Sequence, residues 1–198
     1  MAVANTVIAS ASRPSLALVA ERLAPLVGIP HAVPRTANKG GAGHHLETLL
    51  GIPHSPACLD CEDGELKAFP LKRTSTGRLV PKETVAVTMC DRAALAITPF
   101  EASRAAAKLR NTLFVPYFRP NDESVVYYAP VLFTEAHASW STLATDYTEI
   151  QTRAAAGEMT GSIGTYLQTR TKGPGKGSTS RAFYVRPQFL AALFPAGF

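Results

Sequence analysis

A chain of 198 residues, 46% of them hydrophobic and 18% charged, has enough apolar material to bury a sizeable core and the length of one domain. Twenty Lys and Arg against 15 Asp and Glu leave a formal charge of +5 and a pI near 9.3, an excess compatible with a polyanionic partner. Three cysteines, Cys58, Cys61 and Cys90, are too few and odd in number to staple such a chain, which excludes a disulfide scaffold and points to free thiols in a reducing compartment. Met1 to Ser12 is apolar but lacks a basic leader and is cut short by Arg13 and Pro14. Neither a signal peptide nor a membrane span fits it, so a soluble, cytoplasmic protein is expected.

In chain order, Pro14 followed by Leu16, Leu18, Val19, Leu23, Leu26 and Val27 predicts an amphipathic helix stopping before Gly28 and Pro30. A Pro-, Gly- and polar-rich stretch over 33–43 leads into a short helix with apolar Leu46, Leu49 and Leu50, acidic Glu47, and Gly51 as its stop. Between 58 and 90 the period changes. Residues 65–69 and 84–89 read as strands of a hairpin-like region around the turn-rich 74–81. Thr98, Pro99 and Glu101 then predict a helix start, with an alanine-rich body running to about Arg110. Residues 113–118 and 125–133 are aromatic and β-branched strands, and a proline in each suggests an edge or a bulge. Helical spacing of Trp140, Leu143, Tyr147 and Ile150 marks a helix within 134–156, ending at Gly157. Strands at 166–170 and 182–185 flank a flexible basic loop over 171–181, and 187–194 reads as a final helix; no internal repeat is present.

The chemistry concentrates in Asp60-Cys61-Glu62-Asp63-Gly64-Glu65-Leu66-Lys67. An acidic residue, a short gap and then Glu-x-Lys on a strand is a way to build a metal site, because a period of two puts Glu65 and Lys67 on one face and turns Leu66 into the core. Asp60 completes a carboxylate pair, though Glu62 or Asp63 competes for that role; Asp60 is preferred because Asp63-Gly64 reads as the turn itself. Magnesium, as one or two ions, suits such oxygen ligands: Asp60, Glu65, the Leu66 carbonyl and a phosphate oxygen. Lys67 would position or activate the attacking water.

Lys39-Gly40-Gly41 with a helix glutamate eight residues after the lysine, Glu65-Leu66-Lys67, Lys108-Leu109-Arg110 leading into Leu113, and the 164–170 and 182–185 segments occur in one order. This series resembles the MutH family of mismatch-repair nicking enzymes and its type II restriction relatives, over about residues 38–190. The resemblance implies the restriction-endonuclease-like PD-(D/E)xK fold, an α/β domain with a central mixed sheet flanked by helices. It implies that Asp60, Glu65 and Lys67 form the core site, that Glu47 helps hold a metal or its waters, and that Lys108 stabilises phosphate charge. Lys39 would contact the DNA backbone, and the Gln168, Arg170, Lys172 and Tyr184 region would reach the bases. Arg186 belongs to the same basic crowd as Arg170, Lys172, Lys176 and Arg181, which favours phosphate or base contact.

The expected organisation is a single endonuclease domain over 1–198: an N-terminal helical arm to residue 37, a catalytic core over 38–120 and a DNA-reading part over 121–198. The expected function is sequence-specific, Mg2+-dependent cleavage of double-stranded DNA, by a monomer or weak dimer; nicking in repair and double-strand cutting in restriction need the same groups. A rival is a non-catalytic DNA-binding module. His54, Cys58, Cys61 and Cys90 can also be drawn as a zinc set, for which the second Cys-x-x-Cys knuckle is missing. His44 and His45 sit on the short helix beside Leu46, where packing competes with a catalytic role.

Overall fold

The computed structural model describes residues 12–35, 40–54, 57–173 and 179–198. Helix α1 (Leu16–Leu23) begins at Ser15, whose hydroxyl accepts from the Leu18 N–H, and buries Leu16, Val19 and Leu23. A 3-10 turn over Ala24–Leu26 containing Pro25 ends it, short of the stop before Gly28 that the sequence predicts. Strand β1 (Pro30–Ala32) follows, then α2 (Gly41–Leu50), which starts earlier than His44 and buries Ala42, Leu46 and Leu50. Gly51 closes α2 in the left-handed region at φ 70°, donating to the Glu47 and Thr48 carbonyls.

The central sheet is mixed. Strand β2 (Glu65–Arg73) runs parallel to β5 (Asn111–Phe118), with Glu65 opposite Thr112 and Pro70 opposite Tyr117. Its other neighbour, β3 (Leu79–Pro81), pairs antiparallel with Leu71–Arg73 only. On the far side of β5 lie β6 (Ser124–Tyr127), which carries β1, and β7 (Val131–Thr134), which pairs with Asn111–Phe114. Among the described residues, β4 (Val85–Cys90), β8 (Leu167–Thr171) and β9 (Arg181–Val185) form a second, antiparallel sheet in the order β4-β9-β8. Helices α3 (Arg92–Ile97), α4 (Arg104–Leu109), α5 (Ser139–Ala155) and α6 (Pro187–Leu193) complete the described elements. The expected α/β architecture, a central mixed sheet flanked by helices, is the one observed.

Two apolar cores lie on opposite faces of the sheet, and alternation along the strands decides which face each residue serves. Leu66, Leu113, Val115 and Tyr117 pack with Val19, Leu23, Leu46 and Leu50 of α1 and α2. Phe69, Leu71 and Phe114 pack with Leu109 of α4, Leu143 of α5, Phe183 of β9 and Phe189 of α6.

Three local expectations are corrected. The hairpin-like region divides: β2 turns into β3, and β4 leaves for the second sheet, where it pairs with β9. The helix expected from Thr98 to Arg110 is broken into a 3-10 turn over Phe100–Ala102 and α4, because the Ser103 hydroxyl accepts from the Ala106 N–H and starts a new helix. Pro116 sits in the interior strand β5 rather than at an edge, at the handover where β5 stops pairing with β7 and begins pairing with β6. There the missing N–H costs little, and the Pro116 carbonyl still accepts from the Tyr128 N–H at 2.9 Å. Pro130 divides the second aromatic run into β6 and β7.

Candidate active site

The turn before β2 is built so that one carboxylate anchors it and another is left for chemistry. Asp63 accepts from the Leu16 N–H at 2.7 Å with its side chain and from the Asn111 amide at 2.7 Å with its carbonyl, tying the turn to α1 and β5. The Cys61 N–H donates to the Gly64 carbonyl at 2.9 Å. Gly64 has no room for a side chain: a Cβ there would stand 2.3 Å from the Asn111 carbonyl oxygen and 2.4 Å from a Leu16 methyl. With Asp63 committed to α1, Asp60 is the carboxylate that faces β2, where its Oδ2 accepts from the Leu66 N–H at 3.3 Å.

Glu65 is the centre of the cluster. Its side chain has 0% exposure, and its Oε1 accepts from Lys67 Nζ at 2.5 Å and from Lys108 Nζ at 2.6 Å. Its Oε2 accepts from the Asp60 N–H at 3.3 Å, and Lys67 Nζ lies 3.9 Å from Asp60 Oδ2. Lys67 shares the Glu65 face by strand alternation. Lys108 arrives from the last turn of α4, which Ala105, Ala106 and Leu109 fix in the core. Burial raises the Asp60 carboxyl above its ordinary value; the Lys67 ammonium opposes the shift and the Glu65 charge adds to it. Over Glu65–Lys67, β2 is paired on its β5 side, and among the described residues no strand covers its other edge, since β3 begins at Leu71. The four groups therefore sit at an uncovered stretch of a core strand.

Glu47 lies on α2, whose apolar residues pack on the Leu66 face of the sheet, and its carboxylate meets His44 Nδ1 at 3.3 Å. His44, Glu47 and His54 bring their ligand atoms within 4.8 Å of one another. The zinc set of His54, Cys58, Cys61 and Cys90 is not assembled: Cys58 is exposed, Cys61 is buried in the α1/α2 core, and Cys90 lies in the core on the other face. The signal for the observed cluster was present in the spacing of His44 and Glu47 and in the reversal at Gly51.

The expected DNA-reading residues fall on the second sheet, with different roles available to each. Gln168 on β8 is buried at 4% exposure opposite Tyr184 of β9, which is half-buried. Arg170 is exposed and donates to Thr84 Oγ1 at 3.1 Å, and Lys172 is exposed just beyond β8. Arg186 donates to the Gly161 and Ile163 carbonyls, so its guanidinium holds the chain before β8. Lys39 and Lys176 lie outside the described residues.

Residues 56–147 match the family model described as DNA mismatch repair enzyme MutH. This segment is similar to the MutH family. It carries Asp60, Glu65, Lys67 and Lys108 and ends before β8 and β9, while Glu47 lies N-terminal to it. No curated protein matches the chain. Among solved structures, a "Restriction endonuclease MvaI-cognate DNA substrate complex" aligns with 14% identity over 90% of this chain and 95% of that one, at a TM-score of 0.48. No helix among the described residues is long and apolar enough to cross a membrane.

Proposed function

We propose that the protein is a sequence-specific, Mg2+-dependent endonuclease that hydrolyses phosphodiester bonds in double-stranded DNA, as a restriction enzyme or a MutH-like nicking enzyme. The observation that carries this reading is the convergence of Asp60, Glu65, Lys67 and Lys108 at an uncovered stretch of β2, all within the segment similar to the MutH family. The donor set fits a hard divalent ion: two carboxylates beside an open strand edge that also carries the Leu66 carbonyl. Asp60 and Glu65 would hold the ion, with Glu47 helping to hold it or its waters. Such an ion supplies charge neutralisation at the phosphate and a more acidic bound water.

The chain's own groups do the rest. Glu65, buried and doubly paired, fixes both ammonium groups in place, so their positions are set before any substrate arrives. Lys67 orients the attacking water in line with the scissile bond, and Lys108 faces the charge developing on the phosphate. Lys39 contacts the DNA backbone, while Gln168, Arg170, Lys172, Tyr184 and Arg186 form the region that reads the target, with Arg170 and Lys172 the exposed cations within it. A monomer or weak dimer acting inside the cell fits this role.

Incubating supercoiled plasmid with the protein and Mg2+, then sequencing the ends, tests the reading directly. Nicked circles or linear product with defined ends is the expected result. Glu65→Ala and Lys67→Ala should abolish cleavage while DNA binding in calcium buffer persists. Binding with no cleavage by the wild-type protein would instead identify a non-catalytic DNA-binding module.

A further inference from the structure

We propose that His44, Glu47 and His54 form a second metal site, selective for a borderline transition-metal ion such as Zn2+ or Co2+ and distinct from the Asp60–Glu65 centre. Two imidazoles and one carboxylate make a donor set that suits these ions and not Mg2+, which prefers oxygen ligands.

The backbone assembles the site deliberately. His44 and Glu47 are three residues apart, so they share one face of α2. Gly51, at φ 70°, reverses the chain, and the Ile52 N–H donates to the Glu47 carbonyl at 2.9 Å. Buried Ile52 anchors that reversal in the α1/α2 core. His54 is thereby carried back over the same face, its ring 5.7 Å from that of His44 in an edge-on arrangement. The three side chains line an open pocket of about 350 Å³, and their ligand atoms lie within 4.8 Å of one another. Bonds of about 2.0–2.2 Å to a central ion require those atoms to close in modestly. The exposed imidazoles can do so by rotamer adjustment, exchanging the 3.3 Å His44–Glu47 contact for two metal bonds. Three protein ligands leave coordination positions for water.

The site stands on this geometry alone and uses Glu47, which the nuclease reading also employs, so an ion held here would compete for that carboxylate. The test is titration of the tag-free, metal-stripped full chain with Co2+, followed by its visible d–d absorption. The expected result, with excess Mg2+ present to occupy the carboxylate centre, is one equivalent of Co2+ giving tetrahedral or five-coordinate bands, displaced by Zn2+. His44→Ala and His54→Ala should weaken binding by roughly tenfold or more, while Asp60→Asn leaves the spectrum unchanged. Circular dichroism checks that the variants remain folded. Featureless absorption on titration, binding that survives His54→Ala, or binding that is lost with Asp60 instead would overturn the proposal. Plasmid cleavage is not part of this readout, so failure of the nuclease reading shows separately, as the absence of Mg2+-dependent cutting.

Discussion

Glu65 has no exposed side-chain surface, yet two ammonium groups reach one of its oxygens, at 2.5 and 2.6 Å. A buried carboxylate survives only with such partners, since an uncompensated charge in the interior costs several kcal/mol. Lys108→Met should therefore lower stability by about 1–3 kcal/mol, measured by urea unfolding. If Lys108 faces the reacting phosphate, the same change should slow cleavage on the order of 10²-fold or more. The thiols make a separate prediction at this scale. Burial, reinforced by the Asp60 charge, pushes Cys61 up to about 12, and burial pushes Cys90 up to about 11. A raised thiol value means almost no thiolate at pH 8, so native protein should react rapidly at one thiol, exposed Cys58. Mass spectrometry after alkylation would locate the label; early modification of Cys61 would contradict the packing described.

Among the elements, the turn at 60–64 and the strap before β8 do the positioning. Gly64→Ala forces a Cβ into the Asn111 carbonyl and should cost about 1–3 kcal/mol, visible as a lowered Tm, with loss of cleavage because β2 and α1 can no longer close on the turn. Asp146 of α5 accepts from the Thr165, Tyr166 and Leu167 N–H groups at 2.7, 2.6 and 2.8 Å. Asp146→Ala should destabilise by about 1–3 kcal/mol, since three backbone donors, the Leu167 N–H buried among them, lose a charged acceptor. Nothing in the sequence singled out Asp146, because one aspartate in an amphipathic helix looks like a solvated residue until the chain it holds is known. Elements with local signals were legible. Gly51 marked the end of α2, and alternation placed Glu65 and Lys67 on one face with Leu66 on the other. Elements decided by distant partners were not: Ser103 restarting a helix, β4 deserting β2 for β9, and Pro116 inside β5 all depend on which segment lies alongside. In the same way the Glu-x-Lys cluster was readable, whereas the face of the sheet on which α2 packs was not.

For the whole molecule, the charge of +5 and the exposed Arg170 and Lys172 near the second sheet predict salt-sensitive DNA binding. The slope of log Kd against log salt should flatten when Arg170 is replaced by alanine, read by fluorescence anisotropy; an unchanged slope would remove that residue from the interface. The two cores meet through β5, whose alternate residues serve opposite faces and whose edges are occupied by β2 on one side and by β6 and β7 on the other. A strand enclosed in this way has no route to solvent short of general unfolding. In deuterated water its amides should be the last to exchange, well behind those of β1 and β3. Glu65 and Lys67 sit where β2 pairs directly with that strand, so thermal fraying of β1 and β3 should leave the spacing of the reactive groups untouched.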